Sequence, residues 1–422
     1  MTPEETRAVG ERAEAMLEAL AAISAEPGRI TRLYLTPEHR RAAHLVADWM
    51  RAAGLDVRID AAGTVHGLLP AGREGSLSAK RLLVGSHIDT VIDAGRYDGT
   101  LGVVAGILAV EELRRRRVAL PFAIEVLAFG DEEGVRFPTT LLGSSTIAGT
   151  LRDPVLDLAD SDGVTIRAAL AAFGGDPDAL EAEAYRREDV IGYLEVHIEQ
   201  GPVLERLGLP LGVVTAIAGQ SRFRIAVKGE AGHAGTVPMD IRRDALAAAA
   251  EMVLVIETVG REPNPASLVA TVGEFRVLPG ASNVIPGEVR FSLDLRAADD
   301  SVRERAARDI RSRIGSIAAR RMVSASVELV HEKPVAVCAP QMVEWIAASV
   351  EIVTCHPCHR LMSGAGHDAQ ALSQLVPFGM IFVRCRSGIS HNPAEYASPE
   401  DMGQAVAALV QTIISIEKTN TV

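Results

Sequence analysis

Histidine and carboxylate side chains occur where apolar segments of the chain end. His87 and Asp89 follow the apolar run 81–85, in a glycine-bounded segment that also contains Asp98. Side chains alternate between the two faces of a strand, so His87 and Asp89 are predicted to emerge from the strand end on the same side. Imidazole and carboxylate groups gathered at a strand end are typical of the site of a metal-dependent hydrolase.

Three further segments repeat this pattern. Glu132 and Glu133 follow an apolar run, His197 lies in a strand-like segment, and His391 lies in a polar turn. The sequence thus offers five potential metal ligands, one more than a tetrahedral zinc site takes. Five ligands suit two ions that share a bridging carboxylate, each with an open position for water. Nitrogen and oxygen donors fit Zn, Mn, Co or Ni and do not distinguish among these metals. The potential ligands are His87, Asp98, Glu133, His197 and His391.

In order and spacing these motifs resemble the dimetal amidohydrolases of the N-carbamoyl-L-amino acid hydrolase and allantoate amidohydrolase type, relatives of carboxypeptidase G. The resemblance implies hydrolysis of a ureido or amide C–N bond on a small carboxylate, with two divalent ions, Zn or Mn, as cofactors and Co or Ni as alternatives. It extends over nearly the whole chain, in segments 85–106, 131–143, 195–205, 229–243, 280–296, 363–369 and 387–396.

The resemblance also implies a division of the ligands between the two ions. Asp98 would bridge them, Glu133 and His391 would complete one ion, and His87 and His197 would complete the other. A buried polar residue or a turn residue is the alternative explanation of each ligand taken alone. For His87 and Asp98 the glycine-rich turn argues against it, and for His197 and His391 only the joint spacing and the resemblance do.

Catalytic roles follow from the same resemblance. Two neighbouring carboxylates invite two roles, one ligand and one general base, and the base corresponds to Glu132. Asp89 corresponds to the residue that orients a ligand imidazole. His233, surrounded by glycines, corresponds to an oxyanion stabiliser that reaches the site of the neighbouring subunit. A solvated surface charge at Glu132 and a turn histidine at His233 are the alternatives.

Substrate contacts are implied for five further residues. Asn283 and Arg296 correspond to a substrate-binding pair in which the planar guanidinium of Arg296 binds the carboxylate. Gln200 corresponds to a contact with the ureido end. Gly364 and Ala365 belong to a loop that lines the pocket.

Arg222 bears on the choice of substrate. Its position resembles the allantoate branch, whereas N-carbamoyl-L-amino acid hydrolases are more often apolar there. Because Arg222 alternates with Arg224, an outward-facing strand residue remains an equal alternative. The favoured reaction converts allantoate and water to ureidoglycine, ammonia and carbon dioxide. The alternatives are hydrolysis of an N-carbamoyl-L-amino acid or N-carbamoyl-β-alanine and, more remotely, a non-catalytic small-molecule binder on the same fold.

Some segments only imitate a site. Cys355–His359 looks like a zinc knuckle, but five consecutive residues cannot close a tetrahedron and no second cysteine pair exists. Gly143 and the serines after it lack the second glycine of a nucleophile elbow. His367 and Asp368 are interpreted as structural support beside the substrate loop.

The elements that must position these residues form two patterns. Alternating helix and strand signals at 1–215 and 331–422 predict one α/β catalytic domain with a mixed sheet. Residues 216–330 predict strand–helix–strand–strand–helix–strand, the ferredoxin-like order. We therefore expect an inserted ferredoxin-like lid domain, and the resemblance implies that this lid pairs two chains into a homodimer.

Composition narrows the partners and the compartment. The chain has 422 residues and a formal net charge of −12, which argues against a nucleic-acid partner. No apolar run approaches membrane-spanning length, and the first residues contain no apolar core of a signal peptide. The four cysteines indicate no disulfide framework. We therefore expect a cytoplasmic protein.

Overall fold

The chain leaves one structural unit for a second and then returns to the first. The computed structural model describes residues 1–73, 79–263 and 267–419. The first unit consists of residues 1–215 and the described residues from 338 onwards, and the second consists of residues 216–337. The second unit ends later than the predicted residue 330, because its last long strand continues to Lys333 through a bulge at Leu329 and His331.

The first segment of the chain contains most elements of the first unit. In chain order these are α1 (Pro3–Ala21), α2 (Pro37–Ala52), β1 (Asp56–Ile59), β2 (Val65–Leu69), β3 (Arg81–His87), α3 (Thr100–Arg115), β4 (Ala123–Phe129), α4 (Leu142–Ile147), α5 (Ile166–Phe173), β5 (Val190–Ile198), α6 (Val203–Leu207) and β6 (Leu211–Ile217).

The second unit follows, and the chain then completes the first. The second unit contains β7 (Gly219–Lys228), β8 (Gly232–His233), α7 (Ala245–Arg261), β9 (Val269–Thr271), β10 (Phe275–Leu278), β11 (Val284–Ile285), β12 (Glu288–Ala297), α8 (Asp300–Arg320), β13 (Ser324–Lys333) and β14 (Ala336–Val337). The remaining elements are α9 (Pro340–Thr354), β15 (His359–Ser363), α10 (Asp368–Leu372), β16 (Phe378–Val383) and α11 (Pro399–Thr419).

The sheet of the first unit is mixed, as the sequence predicted. Its strand order is β1-β2-β4-β3-β5-β16-β6, with β15 also paired to β6. The four central strands β4, β3, β5 and β16 are parallel, and the flanking pairs are antiparallel. Nearly every residue of these central strands is buried, which explains their continuous apolar sequences. The carboxyl ends of the four strands therefore meet at one edge of the sheet.

Helix α3 lies close against this central sheet. A Cβ atom on Gly102 would overlap the carbonyl oxygen of Val196, and one on Gly106 would lie 3.1 Å from a Val126 methyl carbon. These glycines bring the helix axis nearer to β3, β4 and β5 than larger residues would allow. The first residues of α3, and Asp98 just before them, are thereby held at the edge where the strands end.

The second unit has its own sheet and core. The strand order is β10-β12-β7-β13, all antiparallel, with β9 also paired to β12. Alternate apolar residues of β7 and β12 face α7 and α8, and polar residues alternate with them on the other face. The longer elements follow the predicted strand–helix–strand–strand–helix–strand order, with the second predicted strand divided into β9 and β10 and the short strands β8 and β11 in addition. None of the described helices is both long and apolar enough to cross a lipid bilayer.

Helices α1 and α11 cross at a pair of glycines. A Cβ on Gly403 would overlap the carbonyl oxygen of Thr6, and one on Gly10 would overlap that of Pro399. This crossing secures the start of α11, which directly follows the loop that carries His391.

Gly403→Ala should lower the free energy of unfolding by about 1–3 kcal/mol, because the added methyl group overpacks the helix crossing. Urea denaturation followed by circular dichroism measures the change. Gly315→Ala in α8, where nothing lies within 4 Å of the new carbon, is the matched control and should stabilise by at most about 1 kcal/mol. Equal responses of the two variants would contradict the tight crossing.

Candidate active site

The candidate ligands lie where the parallel strands end. His87 is the last residue of β3, and His197 is the next to last residue of β5. Glu133 follows the end of β4, and His391 follows the end of β16. These residues come from distant parts of the sequence, and the parallel pairing of four strands brings them to one edge.

Asp98 lies between two sets of ligand groups. Its Oδ1 is 3.2 Å from Nε2 of His197 and 3.9 Å from Nε2 of His87. Its Oδ2 is 3.2 Å from Nε2 of His391, which lies 3.5 Å from Oε2 of Glu133. His87, Asp98 and His197 form one group that could hold a metal ion, and Asp98, Glu133 and His391 form another. The five predicted ligands are therefore gathered around one shared carboxylate.

Glu132 and Glu133 lack compensating positive charge. Burial, followed by the neighbouring Glu133, raises the pKa of Glu132 well above its ordinary value. Burial, followed by Asp98, likewise raises the pKa of Glu133. Divalent cations would supply the missing positive charge, and the nitrogen and oxygen donors present are ligands that Zn and Mn accept. The residues therefore fit a metal centre.

The pKa values of His87 and His197 are shifted in opposite directions. Burial lowers the pKa of His87 to about 4. Burial also lowers the pKa of His197, but Asp98, Glu195 and the backbone oxygen of Ile198 together more than offset this effect and raise it to about 9. Burial alone would raise the pKa of Asp98, yet the hydrogen bonds to His197 and His391 hold it well below its ordinary value. A metal ligand must be a neutral imidazole, so an ion bound here would take the place of the proton on His197.

Asp89 contacts the imidazole of His87 mainly through its backbone. Nδ1 of His87 lies 3.1 Å from the backbone oxygen of Asp89 and 3.6 Å from its carboxylate. The carboxylate instead accepts hydrogen bonds of 3.3 Å from the backbone N–H groups of Glu132 and Glu133. Asp89 thus orients the imidazole through its carbonyl group, and its side chain holds the turn that carries both glutamates.

Glu132 borders the two metal-ligand groups without belonging to either. Its Oε2 is 3.9 Å from Nε2 of His87. A Cβ on Gly366 would lie 3.5 Å from Oε1 of Glu132, so the loop that contains Gly364 and Ala365 passes beside this carboxylate. The position is compatible with a general base, and it differs from the solvated surface position that was the alternative.

The side chain of Gln200 contacts the bridging residue. Its Nε2 donates hydrogen bonds to Oδ2 of Asp98 at 2.9 Å and to Oγ of Ser390 at 3.1 Å. Its Oε1 is buried and has no hydrogen-bond partner. The side-chain amide of Gln200 therefore helps to hold Asp98 and Ser390 in place.

Backbone strain is concentrated at the same edge. Asp131, Gln200 and His391 have φ angles of 69°, 55° and 54°, in the left-handed region that favours glycine. Each such residue costs on the order of 1–3 kcal/mol and persists only where the surrounding structure holds it. The three positions lie just after β4, just after β5 and in the loop after β16, so the strain accompanies the turns that aim the site residues.

The remaining candidates lie in the second unit. His233 is exposed, and its Nδ1 accepts a hydrogen bond of 3.0 Å from the N–H of Gly235. The N–H of the next residue, Ala234, donates to the carbonyl oxygen of Asn283, also at 3.0 Å, as β8 pairs with β11. His233 and Asn283 are therefore neighbours.

Arg296 and Arg222 converge on a residue that the sequence did not single out. Asp294 accepts bonds from Nε and Nη2 of Arg296 at 2.9 and 3.0 Å, and its Oδ2 also accepts from Nε of Arg222 at 3.1 Å. Arg222 is exposed, as the alternative interpretation expected, but it is paired with Asp294 directly across the β7–β12 ladder.

Three residues near the ligands were missed, and two of them, Glu195 and Glu395, are buried. Glu195 lies two residues before His197, where strand alternation places it on the same face, and it accepts a bond from Oγ of Ser86 at 2.8 Å. Ser390 and Glu395 flank His391 in sequence and contact the segment of Asp98. An acidic residue close in sequence to a ligand histidine was the signal that could have identified both glutamates.

Two of the segments that only imitate a site, His367–Asp368 and Cys355–His359, differ in how close they lie to the ligands. The imidazole of His367 packs edge-on against that of His197 with ring centroids 4.4 Å apart, and its Nε2 lies 2.6 Å from Oγ of Ser363. His367 also forms a third potential metal-binding group with Glu195 and His197. The segment Cys355–His359 contributes to none of the potential metal-binding groups found among the described residues.

Three histidines and several carboxylates around one shared aspartate, at the carboxyl ends of parallel strands, define a metal-dependent hydrolase. The chain belongs to Peptidase family M20/M25/M40, whose sequence profile matches residues 83–415. This family is metal-dependent.

Relatives of two activities resemble the chain to a similar degree. A probable allantoate deiminase from Oryza sativa subsp. japonica is 43% identical over 430 residues, which cover 94% of this chain and 86% of that relative. An N-carbamoyl-L-amino acid amidohydrolase from Geobacillus stearothermophilus is 42% identical over 406 residues, with 96% and 98% covered. A solved amidase of the hydantoinase/carbamoylase family from Burkholderia multivorans has a TM-score of 0.89 at 33% identity, with 97% and 98% covered.

Gly99→Ala should weaken metal binding on the order of tenfold or more, the effect typical of displaced ligand supports. Gly99 has a φ of 65°, and a Cβ there would overlap the His87 ring. Equilibrium dialysis with elemental analysis measures the change. Gly163→Ala is the matched control, because it has a φ of 79° but open space around the new carbon. Unchanged metal binding in Gly99→Ala would contradict the assignment of His87 as a ligand.

Proposed function

We propose that the chain is a dimetal amidohydrolase that cleaves a ureido C–N bond of a small carboxylate, with allantoate as the first candidate substrate. The observation that carries the proposal is the position of Asp98, whose two oxygens face separate ligand sets. Glu132 lies beside these sets as a further carboxylate that no ligand group requires. A shared carboxylate with a free carboxylate beside it is the arrangement that hydrolysis at two ions needs.

Two divalent ions, Zn or Mn with Co or Ni as alternatives, would be held at this site. His87 and His197 would hold one, Glu133 and His391 the other, and Asp98 would bind both. When bound, the ions supply Lewis-acid activation of water and of the scissile carbonyl group.

Glu132 is proposed as the general base. Its carboxylate lies beside both ligand groups and belongs to neither, so it is placed to take a proton from the attacking water and then to hand that proton to the leaving nitrogen. Asp89 would support this role indirectly, because its carboxylate holds the backbone of Glu132.

Residues of the second unit are proposed to act on the substrate. His233 is exposed and would stabilise the oxyanion of the tetrahedral intermediate. Its neighbour Asn283 would bind the substrate together with Arg296, whose guanidinium would bind the substrate carboxylate. In the first unit, Gln200, Gly364 and Ala365 would line the pocket beside Glu132.

Allantoate is favoured over other ureido carboxylates because it carries a second ureido arm. Arg222 shares Asp294 with Arg296, so a second cationic side chain accompanies the proposed carboxylate-binding arginine. Hydrolysis of an N-carbamoyl-L-amino acid is the second candidate function. It is supported by the 42% identical relative of that name, which aligns over 98% of its own length.

Glu132→Gln removes the proton acceptor but keeps the shape of the side chain. We expect kcat to fall by at least about 10²-fold, the usual contribution of a general base, while elemental analysis still finds the wild-type metal content. Glu133→Gln is the comparison variant, and it should lose metal. If Glu132→Gln loses metal and Glu133→Gln does not, the roles of the two glutamates are exchanged.

A substrate panel tests the choice between the two candidate functions. We expect kcat/KM for allantoate to exceed that for N-carbamoyl-L-methionine and N-carbamoyl-β-alanine. Arg222→Leu should reduce the difference by roughly ten- to a hundredfold, the value of a lost charged hydrogen bond. Arg224→Leu, two residues along the same face and paired with Glu328 instead, should leave it unchanged.

The outcomes of the panel are separable. Efficient turnover of the carbamoyl amino acids without turnover of allantoate would establish the second candidate function and leave Arg222 as a surface residue. Release of no ammonia from any ureido carboxylate would favour a non-catalytic binder.

We also propose that the second unit pairs two chains into a homodimer. Its edge strands carry exposed apolar side chains, Phe275 and Leu278 on β10 and Leu329 and Val330 on β13. Such edges are normally covered or protected by charge. Light scattering should therefore give twice the mass of one chain, and a fully active monomer would exclude a role of His233 in the partner's site.

A further inference from the structure

Glu395 is a buried carboxylate in the loop that follows β16. Only 4% of its surface is exposed, and it lies four residues beyond His391. Its Oε1 accepts hydrogen bonds from the backbone N–H groups of Tyr97 at 2.8 Å and of Asp98 at 3.1 Å. This carboxylate is thus bonded to the backbone of the bridging residue itself, across 297 residues of sequence.

Ser390 extends the connection to the side chain of Asp98. Its Oγ lies 2.9 Å from Oε2 of Glu395 and 2.9 Å from Oδ2 of Asp98. Nε2 of Gln200 donates to both Ser390 and Asp98. A hydroxyl group has one proton and donates it to one carboxylate at a time. If another group occupied Oδ2 of Asp98, the Ser390 hydroxyl would donate to Glu395.

Space for Glu395 is left by a glycine in the loop that carries Asp98. A Cβ on Gly95 would overlap the carboxylate of Glu395. The loop before α3 therefore closes around this side chain, and a larger residue at position 95 would push the two loops apart.

Burial of the Glu395 carboxylate lowers the stability of the fold unless hydrogen bonds compensate for the lost hydration. A buried carboxylate needs hydrogen bonds or counter-charges, and this one lies near Asp98, which has the same charge. Its partners are N–H and O–H donors, and they belong to the two loops that contribute Asp98 and His391. The arrangement joins both loops in a single geometry.

We propose that Glu395 is a positioning residue for the bridging carboxylate. Through Tyr97, Asp98 and Ser390 it holds the loops of Asp98 and His391 together, and it thereby sets the affinity of the site for divalent ions. The inference rests on the proposed metal site, although it makes no use of the substrate or of the catalytic base.

Metal affinity measured by competition with a chelator tests the proposal on the full chain. We expect Glu395→Ala to weaken the binding of Zn or Mn by about 10- to 100-fold, the usual effect of losing a residue that supports a ligand. Glu395→Gln keeps the volume and one acceptor oxygen, so its loss should be smaller but measurable. Glu400→Gln, the same change at an exposed position five residues further on, should bind metal like the wild type.

A purely structural role predicts a different result. In that case Glu395→Ala would lower the melting temperature of the metal-free protein, but the rise in melting temperature on adding saturating metal would equal that of the wild type. The proposal requires this rise to shrink. It also requires the losses of metal affinity caused by Ser390→Ala and Glu395→Gln to be less than additive in the double variant, because both substitutions remove the same hydrogen bond.

Failure of the inference and failure of the proposed function are distinguishable. Wild-type protein that binds no divalent ion would refute the metal site itself. Wild-type protein that binds ions, with unchanged affinity in both Glu395 variants, would refute only the positioning role.

Discussion

The two oxygens of Asp98 face different imidazole groups, and many features of the first unit hold this one carboxylate in place. Gly99 allows its backbone to approach His87, and the glycines of α3 bring that helix close to the sheet. Gln200 and Ser390 contact its side chain, and Glu395 contacts its backbone. A carboxylate shared between two ligand sets must be held from several directions, because a small displacement would disturb the ligand geometry of both sets.

This arrangement carries a cost in stability. Several carboxylates are buried within one region, and residues such as Asp131, Gln200 and His391 adopt backbone angles that glycine would adopt more easily. Burial, together with repulsion from neighbouring carboxylates, raises the pKa values of Glu132 and Glu133. Bound cations would relieve that repulsion, so the protein is expected to gain stability when it binds metal.

In the second unit the polar residues lie on one face of a sheet, whereas in the first unit they lie at the strand ends. Its core is formed by one face of the sheet and two helices, which leaves the other face for charged side chains. On that face Asp294 joins Arg222 and Arg296, and such a pairing orients a guanidinium group before any substrate arrives. His233 and Asn283 are neighbours because two short strands, β8 and β11, pair beside the main sheet.

Residue types and local spacing were enough to predict the mixed α/β class and the main order of elements in the second unit, and the motifs carried the resemblance that indicated the family. The reason is that apolar periodicity and the residues at strand ends are local properties, which can be recognised without the folded chain. Contacts between distant segments were decided only by tertiary structure. The sequence did not indicate that Asp89 meets His87 through its carbonyl group, that Arg222 pairs with Asp294, or that Glu395 supports Asp98 from 297 residues away. Each of these contacts depends on strand order and loop packing, which are set by the burial of the whole sheet and not by any one segment.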